Sequence, residues 1–180
     1  MSSRSDHDFD GLPDWAQRPL VMQIFAQAYA LGGEARIVGG AVRDWLANYP
    51  VSDIDMAINL PIETVASHMV ACDMRVVETG LKHGTITLYD NDDQIELTQT
   101  RVDLETDGRH AIVAHDQDWA RDAARRDFTI NALYIDSSGG IFDPLDGKAD
   151  LQASRLRFAG DAGLRVQEDA LRMIRYCRFL

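Results

Sequence analysis

The chain has 180 residues, 18 of them basic and 29 acidic, for a formal net charge of −11, with 46% apolar and 26% charged residues. That composition suits a folded globular protein with a sizeable core and excludes a chain disordered throughout. No window approaches the roughly 18 apolar residues of a membrane helix, and the opening MSSRSDHDFDG lacks the basic-then-apolar order of a signal peptide, so a soluble cytoplasmic protein is expected.

The charge is unevenly spread. Residues 1–120 hold 8 basic and 20 acidic side chains, a net of −12, and residues 121–180 hold 10 and 9, a net of +1. General nucleic-acid binding needs clustered Lys and Arg, so any such contact must be local. The place for it is the C-terminal segment carrying Arg155, Arg157, Arg165, Arg172, Arg175 and Arg178. Cys72 and Cys177 have no metal or redox spacing and are expected as small buried apolar residues.

Residues 1–12 are expected to form a disordered leader. Leu20, Val21, Ile24, Phe25, Ala28 and Leu31 then recur at helical spacing up to Gly32-Gly33. Residues 35–38 predict a strand entering Gly39-Gly40, and 41–49 a short helix ended by Pro50. A strand over 53–59 and a helix beginning near Pro61 follow, then strands over 74–78, 84–89 and 94–101. Residues 102–118 are polar and aperiodic, which predicts a mobile loop. A helix over 118–126, a hairpin built from 129–136 and 140–143, and one continuous helix over 167–180 complete the series.

Four clusters carry chemistry. Gly39-Gly40-Ala41-Val42-Arg43-Asp44 sits where a strand turns into a helix and backbone N–H groups can converge on phosphate oxygens; a plain tight turn is the alternative. Asp53 and Asp55 stand at i and i+2 of a strand, about 6.6 Å apart at Cα on one face, and can share divalent cations. Glu96, flanked by Ile95 and Leu97, also projects opposite its apolar neighbours and can add a third carboxylate. Arg125-Arg126-Asp127 leads into an apolar segment, and Glu168, Arg172 and Arg175 follow i, i+4, i+7 on one helical face.

Together GGAVRD, SDIDMAI, GLKHGTITL, IELTQTR, RRDFTINALYID, DPLDGKADL and EDALRMIRYCRF, in that order, resemble the class II nucleotidyltransferase family of bacterial tRNA CCA-adding enzymes and poly(A) polymerases. The resemblance spans roughly residues 20–180. It implies an α+β fold: a polymerase-β-like head over 13–153, with a small mixed sheet flanked by helices, then the start of a helical neck over 154–180, apparently truncated. It implies that Asp53 and Asp55 bind two Mg²⁺ ions and that Glu96 is the third acidic catalytic residue. Gly39, Gly40 and Arg43 would belong to the loop holding the triphosphate, and Arg126 with Asp127 to a nucleotide-contacting motif. Asp169, Arg172, Arg175 and Arg178 would read and contact the incoming nucleotide, with Glu168 an orienting neighbour and His83 structural.

The implied activity is addition of CCA to tRNA 3′ ends from CTP and ATP. A poly(A) polymerase, or an enzyme adding only CC or only A, is the nearest alternative, since head motifs are shared. An incomplete nucleotide- or RNA-binding fragment is the alternative from another class.

Overall fold

Pro19 presets the first turn of α1 (Pro19–Ala30), whose Leu20, Val21, Ile24, Phe25 and Ala28 form one buried stripe, and Gly32 at φ 76° turns the chain out of the helix. The computed structural model describes residues 11–91, 93–106 and 111–179. Most of the expected leader lies outside the described residues, but Leu12 packs against the main core.

From α1 the chain runs through β1 (Ala35–Val38), α2 (Gly40–Leu46), β2 (Asp55–Ile58), α3 (Ile62–Ala71), β3 (Arg75–Gly80), β4 (Thr85–Asp90) and β5 (Asp93–Gln99). There follow β6 (Arg101–Thr106), β7 (Ala111–His115), α4 (Trp119–Ala124), β8 (Tyr134–Ile135), β9 (Ile141–Phe142), α5 (Gly147–Gln152), α6 (Ala162–Glu168) and α7 (Leu171–Phe179). Seven strands form one mixed sheet in the order β3-β4-β5-β2-β1-β8-β9, with β2 and β5 parallel and the other neighbours antiparallel. The fold is α+β, as the motifs imply.

Period-two alternation divides the sheet's work between its faces. Ile37, Met56, Ile58, Ile86, Leu88, Ile95 and Leu97 point to one face and join α1 and α3 in the main core. The opposite face is covered only in part: Val38, Ala57 and Tyr134 pack under Trp119 and Ala123 of α4. Beyond them the same face carries Asp55, Glu96 and Thr87, in direct register across β2, β5 and β4.

Three expectations need correction. Residues 102–118 do not form a featureless loop: β6 and β7 pair as a separate two-stranded ribbon, with a register shift between Asp103 and Glu105. That irregularity explains why alternation cannot be read there, and residues 107–110 lie outside the described residues. The single helix over 167–180 is broken. α6 ends at Glu168, Asp169 is extended at φ −153°, and α7 starts anew, with the Asp169 carboxylate accepting from the Leu171 amide at 2.9 Å. Glu168, Arg172 and Arg175 therefore do not share one helical face. Third, both cysteines are free and exposed rather than buried. Cys72 caps the end of α3, where the helix leaves the core, and α7 buries no residue among those described.

The chain after α5 packs back against the segment at Phe128–Thr129. Phe128 and Phe158 form an isolated bridge, the Thr129 amide donates to the Arg157 carbonyl at 3.0 Å, and Phe128 touches Phe158, Tyr176 and Phe179.

Candidate active site

The uncovered half of the second face opens into a cleft of about 620 Å³ lined by Arg18, Asp53, Asp55, Thr87, Asp93 and Glu96, among others. Only Asp55 lies within β2. Asp53 sits in the extended lead-in, where the Ser52 hydroxyl donates to it at 3.1 Å, and buried Ile54 between the two keeps both carboxylates on the cleft side. Glu96 faces Asp55 across the parallel pair, one strand spacing of about 4.8 Å away. Arg18 closes the far rim with an ion pair to Asp93 at 3.1 Å.

These carboxylates feel one another. Although solvent reaches Asp55, burial against the sheet pushes its carboxyl above the ordinary range; Arg126 pulls it back and Asp53 adds to the rise. Burial also raises Glu96, with the Asp55 charge adding to it and Arg101 opposing. Among the described residues no three His, Cys, Asp or Glu side chains converge as a ready-made metal cage; Asp53, Asp55 and Glu96 line one cleft without closing around a single point. An all-oxygen pair of carboxylates fits Mg²⁺, which typically takes one or two protein carboxylates and leaves its remaining positions to water and substrate phosphates.

One strand along the same register row from Asp55, Val38 faces both Asp55 and Tyr134. β1 ends there in Gly39 at φ 76°, a left-handed conformation suited to glycine, and its amide donates to the Leu133 carbonyl at 3.1 Å. The turn has two arginine neighbours. A Cβ on Gly39 would stand 3.9 Å from Arg126 Nη1, and one on Gly40 3.6 Å from Arg43 Nη2. Arg43 is held by Asp44 at 2.7 Å and by the Asn131 side-chain oxygen at 2.6 Å. Since α2 has only seven residues, these guanidinium groups, more than any helix dipole, supply the positive charge of the turn.

From Arg43 a polar chain leads to α7. Asn131 donates to Asp127 at 3.0 Å, Arg175 stands 3.4 Å from Asp127 and 2.8 Å from Asp169, and the Arg43 guanidinium lies 5.0 Å from the Phe179 ring centre. Arg172 instead donates to the carbonyls of Arg165 and Arg125, at 3.1 and 3.4 Å. Arg178 lies 5.7 Å from the Phe179 ring centre. The structure thus brings Asp53, Asp55 and Glu96 into one cluster, Gly39, Gly40, Arg43 and Arg126 into a second, and Asp127, Asp169 and Arg175 into a third joined to the second. Of Glu168, only its place at the end of α6 is described.

The sequence reading gave no role to Asp122, Tyr134 or Asn131, all of which hold the predicted arginines. The signal for Asp122 was present: it stands three and four residues before Arg125 and Arg126, the spacing of helical ion pairs. Tyr134 and Asn131 have no such local signal, because their contacts depend on how β8 and the turn before it fold back.

Residues 35–157 match the family model of the poly(A) polymerase head domain. Among curated proteins, the chain is 44% identical over 147 residues to a Danio rerio protein named CCA tRNA nucleotidyltransferase 1, mitochondrial, a match covering 81% of this chain and 34% of that protein. It is 42% identical over 150 residues to the CCA-adding enzyme of Leuconostoc citreum, covering 82% and 36%. Among solved structures, the Bacillus stearothermophilus CCA-adding enzyme in complex with CTP superposes with a TM-score of 0.79 at 33% identity, covering 91% of this chain and 39% of that one. The chain therefore spans little more than a third of the length of these relatives.

Proposed function

The chain belongs to the poly(A) polymerase head-domain family, and on that footing we propose that it is the catalytic head of a template-independent RNA nucleotidyltransferase that adds CCA to tRNA 3′ ends from CTP and ATP. The observation that carries the reading is the shared sheet row, with carboxylates Asp55 and Glu96 on neighbouring strands and the Tyr134-bound Arg126 two strands beyond Asp55. The row sets an acidic end, suited to cations and the attacking hydroxyl, against a basic end suited to a triphosphate.

Asp53 and Asp55 would hold Mg²⁺, which when bound supplies charge neutralisation at the α-phosphate and at the entering and leaving oxygens. Arg126 and Arg43 offer planar paired donors to the triphosphate oxygens and so orient it for in-line attack by the tRNA 3′-hydroxyl on the α-phosphate, with pyrophosphate leaving. The Gly39-Gly40 turn lets backbone come close to those oxygens, where a side chain would intrude. Glu96 adds negative potential beside Asp55 and favours the cation's retention.

Base choice is assigned to Asp169 and Arg172, which flank the start of α7. Cytosine and adenine each present an exocyclic amino donor beside a ring-nitrogen acceptor; a carboxylate and a guanidinium match that pair and leave unpaired groups opposite uracil and guanine. Asp169 is bonded to Arg175 in this state, so reading a base exchanges that partner for the amino group. Arg175 and Arg178 then lie on the same short helix as further cations for the nucleotide. The proposed location is the cytoplasm; among the described residues no helix is long and apolar enough to cross a membrane.

The test is incubation with Mg²⁺ and a tRNA transcript ending before its CCA, with CTP alone, ATP alone or both, read at single-nucleotide resolution. Two additions with CTP and three with both are expected. A long ladder with ATP alone would replace the reading with poly(A) synthesis, and nucleotide binding without addition would reduce it to a binding head.

A further inference from the structure

Arg126 is held in an unusually complete cradle for a residue assigned to a mobile substrate. Asp122, 2% exposed, accepts from Arg126 Nε and Nη2 at 3.3 and 3.0 Å and from the Tyr134 hydroxyl at 2.8 Å, all on one carboxylate oxygen. Its other oxygen accepts from Arg125 Nε at 3.2 Å and from the Arg101 amide, at the base of the β6–β7 ribbon, at 3.4 Å. Tyr134, fully buried, also accepts from Arg126 Nε at 2.9 Å. The edge of the guanidinium formed by Nε and Nη2 is therefore bound, while Nη1 lies on the side of the Gly39 turn.

Tyr134 is itself fixed by the sheet, opposite Val38, which is in turn opposite Asp55. The cradle thus ties the height and rotation of Arg126 to the same row that carries the carboxylates, about 10 Å away by two strand spacings. An arginine so held meets a phosphate with little rotamer freedom left to lose.

We infer that Asp122, with Tyr134, is the positioning residue that presents Arg126 Nη1 to the nucleotide's phosphates. The inference rests on the nucleotidyl-transfer reading. It requires that the effect of Asp122 on nucleotide binding pass through Arg126, whatever its bonds to Arg125 and the Arg101 amide add to the fold.

The experiment uses the chain with ¹⁵N-labelled arginine and two measurements: the Nε–H signal of Arg126, assigned by its loss in Arg126→Lys, and the Kd for CTP with Mg²⁺. The wild type should show an exchange-protected Nε–H signal at neutral pH. Asp122→Asn should lose that protection and weaken CTP at least ten-fold, and Tyr134→Phe, which removes one oxygen from the cradle and retains the ring, should do both to a smaller degree. Asp122→Asn combined with Arg126→Lys should bind CTP no more weakly than Arg126→Lys alone, since the two act as one unit. Additive losses, or an Asp122→Asn or Tyr134→Phe protein that binds CTP as the wild type does, would overturn the inference. Absence of CTP binding by the folded wild type would overturn the parent reading instead. Should Asp122→Asn fail to fold, the Tyr134→Phe measurement decides.

Discussion

Replacing Asp55 by Asn should make the protein more stable and inactive. The two carboxylates of the lead-in and β2 are separated at Cα by about 6.6 Å, two strand residues. Two negative charges at that spacing repel by about 0.6 kcal/mol in water and about 2.5 kcal/mol at an effective dielectric constant of 20. Solvent reaches both side chains, so the lower part of that range applies; the Arg126 attraction, lost with the charge, outweighs it, and the gain of roughly 1 kcal/mol comes instead from sparing Asp55 the cost of burying a carboxylate. For a chain of this size that raises Tm by about 2–4 °C. The assay is thermal and urea unfolding of both proteins in EDTA across pH. The Asp55 carboxyl is raised in the folded state, so the wild type is penalised progressively as pH climbs from the unfolded value near 3.9 through the higher folded one. The Asn advantage should therefore be full at neutral pH and vanish in acid. Adding Mg²⁺ should stabilise the wild type and leave Asp55→Asn behind. An Asn variant no more stable than the wild type at neutral pH, or an advantage that persists in acid, would refute the argument from the buried charge.

Gly147→Ala should destabilise by about 1–3 kcal/mol or more in urea unfolding, because a Cβ there would come within 2.2 Å of the Thr129 carbonyl oxygen, a backbone atom that cannot swing aside. Asp150→Ala should cost about 2–3 kcal/mol: fully buried Asp150 accepts from Thr129, Arg155 and Arg157 at 2.6, 2.6 and 2.8 Å, and half-exposed arginines recover part of the loss by hydration. Although burial works to raise the Asp150 carboxyl, these bonds hold it below its ordinary range. Its stabilisation should be complete above about pH 4 and lost as acid protonates it in the fold, so the wild type and Asp150→Ala unfolding midpoints should converge there; a constant gap would sink that account.

Local pattern carried much of the head into view. Alternation at Ile54, Asp55 and Met56, and at Ile95, Glu96 and Leu97, is a property of strands half buried on one side, so the carboxylate face could be read without any tertiary knowledge. The stripe of α1 was equally plain. What escaped was set by longer-range geometry. The β6–β7 ribbon packs apart from the main sheet and carries an irregular register, so it lacks the alternation that a core-facing strand displays. The break at Asp169 lies inside a segment with no Gly or Pro from 164 to 180, and the carboxylate that caps α7 reads equally well as a mid-helix side chain until the extended backbone is seen. For the arginines, sequence identified the charges but not their committed edges, because Tyr134 and Asn131 reach them only after the chain doubles back through the 3-10 turn at Thr129–Asn131.

The two-sided character of β2 has a consequence for how such a chain can change. Met56 and Ile58 hold the fold, Asp55 faces the cleft, and nothing but the parity of their positions keeps these duties apart. Point substitutions alter one duty at a time, so the cleft can be retuned while the hydrophobic layer is left alone. Inserting or deleting one residue in the strand exchanges the faces beyond the change, driving a carboxylate into oil and a methionine into the cleft. Length, more than composition, is the inherited quantity this strand cannot vary.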